Sequence, residues 1–182
     1  MSATLEEWIK REAEVLAANR SGAGSGFCTP QQMEDKTGRE ILEGMMRGAL
    51  PVPYSARHEG ICAVEVGDGE VVFQGKPEFQ HLNPQGTVHG GWMANLLDST
   101  MGSAVLSKLP MNRAFYVTEW MTVVYLKAMP MAIGRVRCWG EVRRKDSINR
   151  TISAYAAIVD AEGEQYASAE GVYKVSRGAF AS

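Results

Sequence analysis

Residues 83–107 read NPQGTVHGGWMANLLDSTMGSAVLS, a short polar segment with glycines followed by a long apolar one. Its second part predicts a helix over about residues 90–108, and Asp98 is the only side chain with a formal charge in residues 90–107. A helix that is apolar on most sides is a buried one, and an ionised carboxylate there is costly unless a nearby group compensates it. Because Ala94 and Gly102, one turn away on either side, are small, we expect the carboxylate to face a gap. Asp98 is therefore a candidate functional residue, with a purely structural acceptor as the alternative.

The start of the predicted helix is a second candidate feature. Gly90 and Gly91 let a substrate approach the first turn, whose amides lack intrahelical partners and carry the positive end of the helix dipole. Such amides can polarise a carbonyl oxygen, as an oxyanion hole requires. His89 could orient the loop or hydrogen-bond that carbonyl. The alternative is that the glycines only allow close packing of the helix on a sheet.

Strand-like alternation flanks the helix on both sides. Residues 60–66 and 70–76 surround Gly67-Asp68-Gly69, which is a hairpin signal. Four more strands are predicted after the helix, at about residues 115–127, 132–145, 148–160 and 164–175. One long apolar helix followed by an antiparallel meander indicates an α+β fold, with the helix lying across the concave face of the sheet.

The first part of the chain is predicted to be a separate helical extension. Residues 4–19 have the pattern of an amphipathic helix, and a Ser/Gly-rich linker follows. Thr29-Pro30 predicts the start of a second helical stretch, interrupted near Gly38 and ending around Gly48. The predicted division is an N-terminal helical extension at residues 1–48, a main domain at 49–176 and a C-terminal tail at 177–182.

Composition excludes several classes of function. A chain of 182 residues with a net charge of -2 has no basic field for nucleic acid. The three cysteines form no CxxC pair and the three histidines are scattered, so neither a metal nor another cofactor is expected. No apolar run is long enough for a membrane span, and the N-terminus lacks a signal core. We therefore expect a cytoplasmic protein.

The central motif resembles that of the hotdog thioesterases of the phenylacetate-pathway and 4-hydroxybenzoyl-CoA thioesterase group. The resemblance covers about residues 40–176 and is specific for the superfamily rather than for a substrate. It rests on Asn83-Pro84, Gly86-Thr87-Val88-His89-Gly90-Gly91, Leu96-Leu97-Asp98-Ser99 with Gly102, and the following strand with Thr118. It implies a hotdog fold, in which a curved antiparallel sheet wraps a long central helix.

The resemblance also implies an activity and roles for five residues. The chain would hydrolyse an acyl-CoA thioester, with Asp98 as nucleophile or as general base for water. The backbone N–H of Gly90 would bind the thioester carbonyl. Asn83, His89 and Thr118 match positions that orient the substrate or the water.

The spacing of the two main candidates indicates that one chain is not enough. Gly90 and Asp98 are eight residues apart, which is about 12 Å along a helix. A base and an oxyanion donor must each lie within about 3 to 4 Å of one carbonyl group. We therefore expect a homodimer with two sites at its interface, each formed by antiparallel helices from both chains. A tetramer is left open.

The two ends of the substrate predict two sets of binding residues. The phosphates of coenzyme A favour basic side chains, and the densest cluster is Arg143-Arg144-Lys145, whose alternative role is a solvated hairpin tip. The acyl end should be apolar, for which Trp92 and Trp120 are candidates beside Gly91. Strand alternation predicts that Trp120 faces the same way as Thr118.

Two readings without catalysis compete with the hydrolase. The first is an acyl-CoA or lipid-binding sensor on the same scaffold, which would need only the pocket and the basic cluster. The second is a dimerisation module, which leaves Asp98 and the helix-start glycines unexplained as a set.

Overall fold

The computed structural model describes residues 2–110 and 115–176, so the predicted tail at 177–182 lies outside the described residues. The described helices are α1 Ala3–Ser21, α2 Pro30–Met33, α3 Gly38–Met46, α4 Tyr54–His58 and α5 Gly90–Ser107. The described strands are β1 Ile61–Val66, β2 Glu70–Gly75, β3 Tyr116–Tyr125, β4 Val136–Asp146, β5 Thr151–Val159 and β6 Gln165–Val175. Within these ranges, no helix is both long and apolar enough to cross a membrane.

The strands form one antiparallel sheet in the order β1-β2-β4-β5-β6-β3. Helix α5 packs on one face of this sheet and contacts all six strands. Its side chains Leu96, Leu97 and Met101 are fully buried in the core between helix and sheet. Because the helix is apolar around most of its circumference, it can be buried this deeply. The predicted α+β architecture is confirmed.

The N-terminal helices pack on both sides of the sheet edge formed by β1. Helix α1 covers the face away from α5, where its Val15 contacts Cys62 and Val64. Helix α3 packs against both α5 and β1. The helix predicted at residues 4–19 is confirmed as α1, and the interrupted second stretch is α2 followed by α3. The short helix α4 was not predicted.

A β-bulge in β3 changes which residues face α5. Thr118 lies opposite Tyr173 of β6, whereas Trp120 lies opposite Val172, so Glu119 is the extra residue in β3. A bulge breaks the simple alternation of a strand. Thr118 therefore faces α5 with Tyr173, while Trp120 faces the other side of the sheet. The expectation that Trp120 and Thr118 face the same way is wrong.

Candidate active site

Two hydroxyl groups from the sheet hold the Asp98 carboxylate. Thr118 of β3 donates a hydrogen bond from Oγ1 to Oδ1 of Asp98 at 3.0 Å. Tyr173 of β6 donates from its hydroxyl to the same oxygen, also at 3.0 Å. Asp98 itself is half-buried, and Tyr173 is fully buried. The carboxylate is thus oriented by neutral donors, without a basic side chain to neutralise it among the described residues.

The space beside Asp98 at Gly102 is filled by Tyr116. A Cβ atom at Gly102 would lie 3.0 Å from the Tyr116 hydroxyl, so glycine is needed here for the tyrosine to cross the helix. The expectation that the carboxylate faces a gap on this side is therefore wrong. A small residue in this helix leaves room that a long side chain from a distant strand can occupy.

Tyr116 and Tyr173 form an edge-to-face pair, with ring centroids 5.7 Å apart. Burial, and secondarily the charge of Asp98, raise the pKa of Tyr116 to about 12. Burial is also the main cause that raises the pKa of Tyr173, followed by the charge of Asp98 and the hydrogen bond to it. Both hydroxyls consequently stay protonated near neutral pH, and Tyr173 remains a donor to the carboxylate.

At the N-terminus of α5, His89 caps the first turn. Its Nδ1 accepts a hydrogen bond from the N–H of Gly91 at 2.8 Å. The N–H groups of Trp92 and Met93 donate to the main-chain oxygen of His89 at 3.0 and 3.4 Å. Within the described residues, the N–H of Gly90 has no hydrogen-bond partner. Gly90 therefore presents the one unpaired amide of this first turn.

Tyr125, at the end of β3, fixes the position of Gly90. Its hydroxyl donates to the main-chain oxygen of Gly90 at 3.0 Å. A Cβ atom at Gly90 would lie 3.2 Å from the Tyr125 ring, so a side chain there would press on it. Tyr125 is seven residues after Thr118, and strict alternation would put the two on opposite faces of the sheet. The bulge at Glu119 brings them to the same face, which is why sequence reasoning missed Tyr125.

Asn83 shapes the loop that leads into α5. Its Oδ1 accepts from the N–H groups of Gln85 and Thr87 at 3.0 and 3.1 Å, and its Nδ2 donates to Oγ1 of Thr87 at 2.8 Å. In the same loop, the N–H of Val88 donates to the main-chain oxygen of Met129, in the segment between β3 and β4. In this chain Asn83 therefore positions the loop and, through it, the start of the helix.

The predicted acyl-binding tryptophans do not lie at Asp98. Trp92 is buried, its indole N–H donates to the main-chain oxygen of Glu59 at 3.0 Å, and its ring stacks on His81. The structure therefore places Trp92 in the core rather than along a pocket. Trp120 is 50% exposed, but on the face of the sheet away from α5. Gly91 is exposed beside Gly90.

The predicted basic cluster lies at the β4–β5 hairpin. Arg143 pairs with Glu141 at 2.9 Å and lies over the ring of Tyr155 at 4.9 Å. Tyr155 alternates along β5 with alanines that pack under α5, so Arg143 is on the other face of the sheet. Arg144 pairs with Asp146 at 3.3 Å, and Lys145 follows it on β4. Within one chain, the structure does not bring Arg143 to the Asp98 face.

No group of three or more His, Cys, Asp or Glu side chains that could hold a metal ion occurs among residues 2–110 and 115–176. The arrangement on α5 is instead one of hydrogen-bonding groups. A carboxylate held by two hydroxyls lies in mid-helix, and an unpaired amide lies at the helix start. Both ends are held by side chains of β3, namely Thr118 and Tyr125.

Sequence comparison gives one family match. A family described as Domain of unknown function (DUF4442) matches residues 38–175. No protein of curated function matches the chain by sequence.

Solved structures that resemble this one include two PaaI proteins and a hypothetical thioesterase. The E. coli PaaI protein from the phenylacetic acid degradation operon is 21% identical with a TM-score of 0.60, over 69% of this chain and 86% of that one. A mutant of the phenylacetic acid degradation protein PaaI from Thermus thermophilus is 24% identical with a TM-score of 0.58, over 66% and 97%. A hypothetical thioesterase protein with coenzyme A from Streptococcus pneumoniae is 26% identical with a TM-score of 0.57, over 65% and 87%. The predicted hotdog fold is confirmed.

Proposed function

This chain belongs to the family described as Domain of unknown function (DUF4442), and we propose that it hydrolyses acyl-coenzyme A thioesters to a free acid and coenzyme A. The proposal rests mainly on α5, which presents a carboxylate oriented by Thr118 and Tyr173 and, at its start, the unpaired N–H of Gly90. A base or nucleophile and an oxyanion donor are the two groups that thioester hydrolysis needs. The hypothetical thioesterase from S. pneumoniae, whose structure includes coenzyme A, supports this choice of carrier.

In the proposed reaction the thioester carbonyl oxygen accepts a hydrogen bond from the N–H of Gly90. Asp98 either attacks the carbonyl carbon itself or removes a proton from an attacking water molecule. The C–S bond then breaks, and coenzyme A leaves as the thiol after protonation. In the nucleophilic route water then hydrolyses the acyl–Asp98 anhydride and regenerates the carboxylate. In both routes water supplies the second oxygen of the acid. His89 uses Nδ1 to accept from Gly91, so the neutral ring carries its proton on the exposed Nε2, which can donate to the same carbonyl.

The site requires two chains because Gly90 and Asp98 are about 12 Å apart along α5. Strand β3 is at one edge of the sheet, and Val117 and Val124 on it are 55% and 49% exposed. A long apolar edge strand is a template for pairing with another chain. We therefore propose that two copies of β3 pair with each other in a homodimer, with a tetramer left open.

The positions of Thr118 and Tyr125 define the pairing register that this dimer needs. Thr118 marks the Asp98 end of β3, and Tyr125 marks the Gly90 end. A twofold antiparallel pairing centred at Thr122, in which the bulge at Glu119 accommodates one extra residue on each strand, places Thr118 opposite the partner's Tyr125. Opposite residues in an antiparallel pair point to the same face. That register would bring the partner's Gly90 to Asp98.

The proposal is tested by thiol release from a panel of aromatic and aliphatic acyl-CoA esters, for the unmodified protein and for Asp98→Asn. We expect turnover by the unmodified protein and a fall of about 10²–10⁴-fold in kcat for the variant, the usual contribution of a general base. Asparagine can still accept from Thr118 and Tyr173, so the fold should survive. Asp160→Asn is the matched control, since Asp160 is a buried aspartate that also accepts from a tyrosine hydroxyl.

One result would contradict the role of Asp98, and another would contradict the hydrolase itself. Near-normal thiol release by Asp98→Asn would remove Asp98 from the chemistry. Tight binding of acyl-CoA without any thiol release by the unmodified protein would favour the sensor instead.

A further inference from the structure

A cavity of about 750 Å³ lies at the β1 edge of the sheet, where residues of α5, α3 and α1 line it. Pockets for small molecules usually have volumes of roughly 300–1,000 Å³. We propose that this cavity receives the acyl chain of the thioester, an inference that rests on the proposed function. The N-terminal extension would then determine which acyl groups the enzyme accepts.

The walls of the cavity suit a hydrocarbon chain. Leu42 and Met45 of α3 face it from one side, and Ile61 and Phe73 of the sheet and Leu106 of α5 face it from others. Apolar walls favour an apolar ligand because its surface leaves water on binding. Methionine side chains are flexible and adapt to chains of different shape. Long aliphatic acyl groups are therefore the class that fits.

The inner end of the cavity reaches the neighbours of Asp98. Ser99, the next residue on α5, lines it, and so does Tyr116. Tyr116 crosses α5 at Gly102 and packs on Tyr173, whose hydroxyl holds the Asp98 carboxylate. An acyl chain whose carbonyl group lies at Asp98 can enter the cavity at this end.

The α5 wall also presents a hydroxyl group to the cavity. Ser103 is only 8% exposed and lines the cavity, and its hydroxyl has no hydrogen bond within the described residues. Because no fully buried side-chain oxygen or nitrogen among those residues lacks a partner, the Ser103 hydroxyl is accessible and can bind a molecule in the cavity. The outer mouth is polar, with the exposed side chains of Arg57 and His58. An apolar chain would therefore extend inward from Asp98 and stop short of this mouth.

Part of this cavity is not covered by the family match. The match starts at residue 38, whereas Val15, Leu16 and Asn19 of α1 also line the cavity. The resembling structures extend over 64–69% of this chain. The part of the cavity that α1 lines thus belongs to the N-terminal extension. Through these residues the extension would take part in substrate selection.

The test fills the cavity and compares acyl chain lengths. Met45→Trp places a bulky ring at the cavity wall, and Met33→Trp is the matched control, because Met33 is equally half-buried in the extension but does not line the cavity. We expect Met45→Trp to lower the ratio of kcat/KM for hexadecanoyl-CoA over acetyl-CoA by about tenfold or more, as loss of a few buried methylenes would. Met33→Trp should keep the ratio of the unmodified protein. An unchanged ratio in Met45→Trp, or an equal loss for both substrates, would overturn the inference.

A binding experiment separates this inference from the proposed function. Calorimetric titration of the full chain with dodecanoic acid should show binding that Met45→Trp weakens about tenfold or more. If the acid binds in this way but no thioester is hydrolysed, the hydrolase fails and the cavity assignment stands. If thioesters are hydrolysed but Met45→Trp changes neither dodecanoic acid binding nor chain-length preference, only the cavity assignment fails. If free coenzyme A inhibits thioester hydrolysis by Met45→Trp less than it inhibits the unmodified protein, the cavity holds coenzyme A and not the acyl chain. That result would also overturn the assignment.

Discussion

The start and the middle of α5 are both held by strand β3, but they present different chemical groups. At the start, Tyr125 holds the main-chain oxygen of Gly90, and the unpaired N–H beside it is part of the backbone. In mid-helix, Thr118 and Tyr173 hold the carboxylate of a side chain. The arrangement at Gly90 depends on backbone geometry and leaves little room for a side chain, whereas the one at Asp98 depends on two hydroxyl groups from the sheet, of which Tyr173 is buried and Thr118 is exposed. In the proposed enzyme, a single β-strand would therefore position both the group that binds the thioester carbonyl and the base, and two chains would combine them.

After the loss of the Asp98 carboxylate itself, the largest effect is expected at Gly90. Gly90→Pro removes the N–H and nothing else that the helix needs, because proline is favoured at the first helical position. His89 already has φ -64° and ψ 136°, which a following proline allows. We expect kcat to fall about 10²–10³-fold, the usual loss of one oxyanion donor. The control is Gly90→Ala, which keeps the N–H and also adds a carbon near Tyr125; equal turnover of the two variants would show that the N–H is not used.

A smaller effect is expected when Asp98 loses one of its two hydroxyl partners. Tyr173→Phe should lower kcat about tenfold with little change in KM, because a hydrogen bond to a charged group is worth about 1.5–3 kcal/mol and Thr118 still holds the carboxylate. Tyr166→Phe is the matched control, because Tyr166 is also buried and donates to an aspartate, Asp160. It should lower the free energy of unfolding without changing kcat. Equal kcat for Tyr173→Phe and the control would reduce Tyr173 to a packing residue.

The smallest effect concerns stability at alkaline pH. The pKa of Tyr116 is about 12 in the folded protein, compared with 10 as its ordinary value. The folded state thus retains a proton that the unfolded state loses, so the stability this group contributes is full below pH 10 and is lost as the pH rises toward 12. Denaturant unfolding between pH 8 and 11.5 should show a steeper loss of stability for the unmodified protein than for Tyr116→Phe. Identical slopes would contradict the burial of this hydroxyl.

The sequence predicts the elements that depend on local pattern. The apolar helix, its lone acidic residue and the glycines at its start are all visible in residues 90–107, and Thr118 follows from the family resemblance. The unpaired amide of Gly90 is a consequence of being first in a helix, so it too could be expected.

The contacts that were missed depend on register between distant segments. Nothing in the residue types around Glu119 signals a bulge, yet the bulge moves Trp120 away from the site and brings Tyr125 to it. The packing of Tyr116 against Gly102 is likewise a contact between a strand and a helix that local periodicity cannot show. The cavity requires the N-terminal helices to return to α5, which only the tertiary fold reveals.

The most direct test of the two-chain site is complementation between inactive variants. Asp98→Asn and Gly90→Pro are each purified, unfolded, mixed in equal amounts and refolded together. In half of the dimers one site has both changes and the other has neither, so random pairing should restore about a quarter of the unmodified activity. If the mixture shows only the average of the two variants' residual activities, Asp98 and Gly90 do not act on one substrate from different chains.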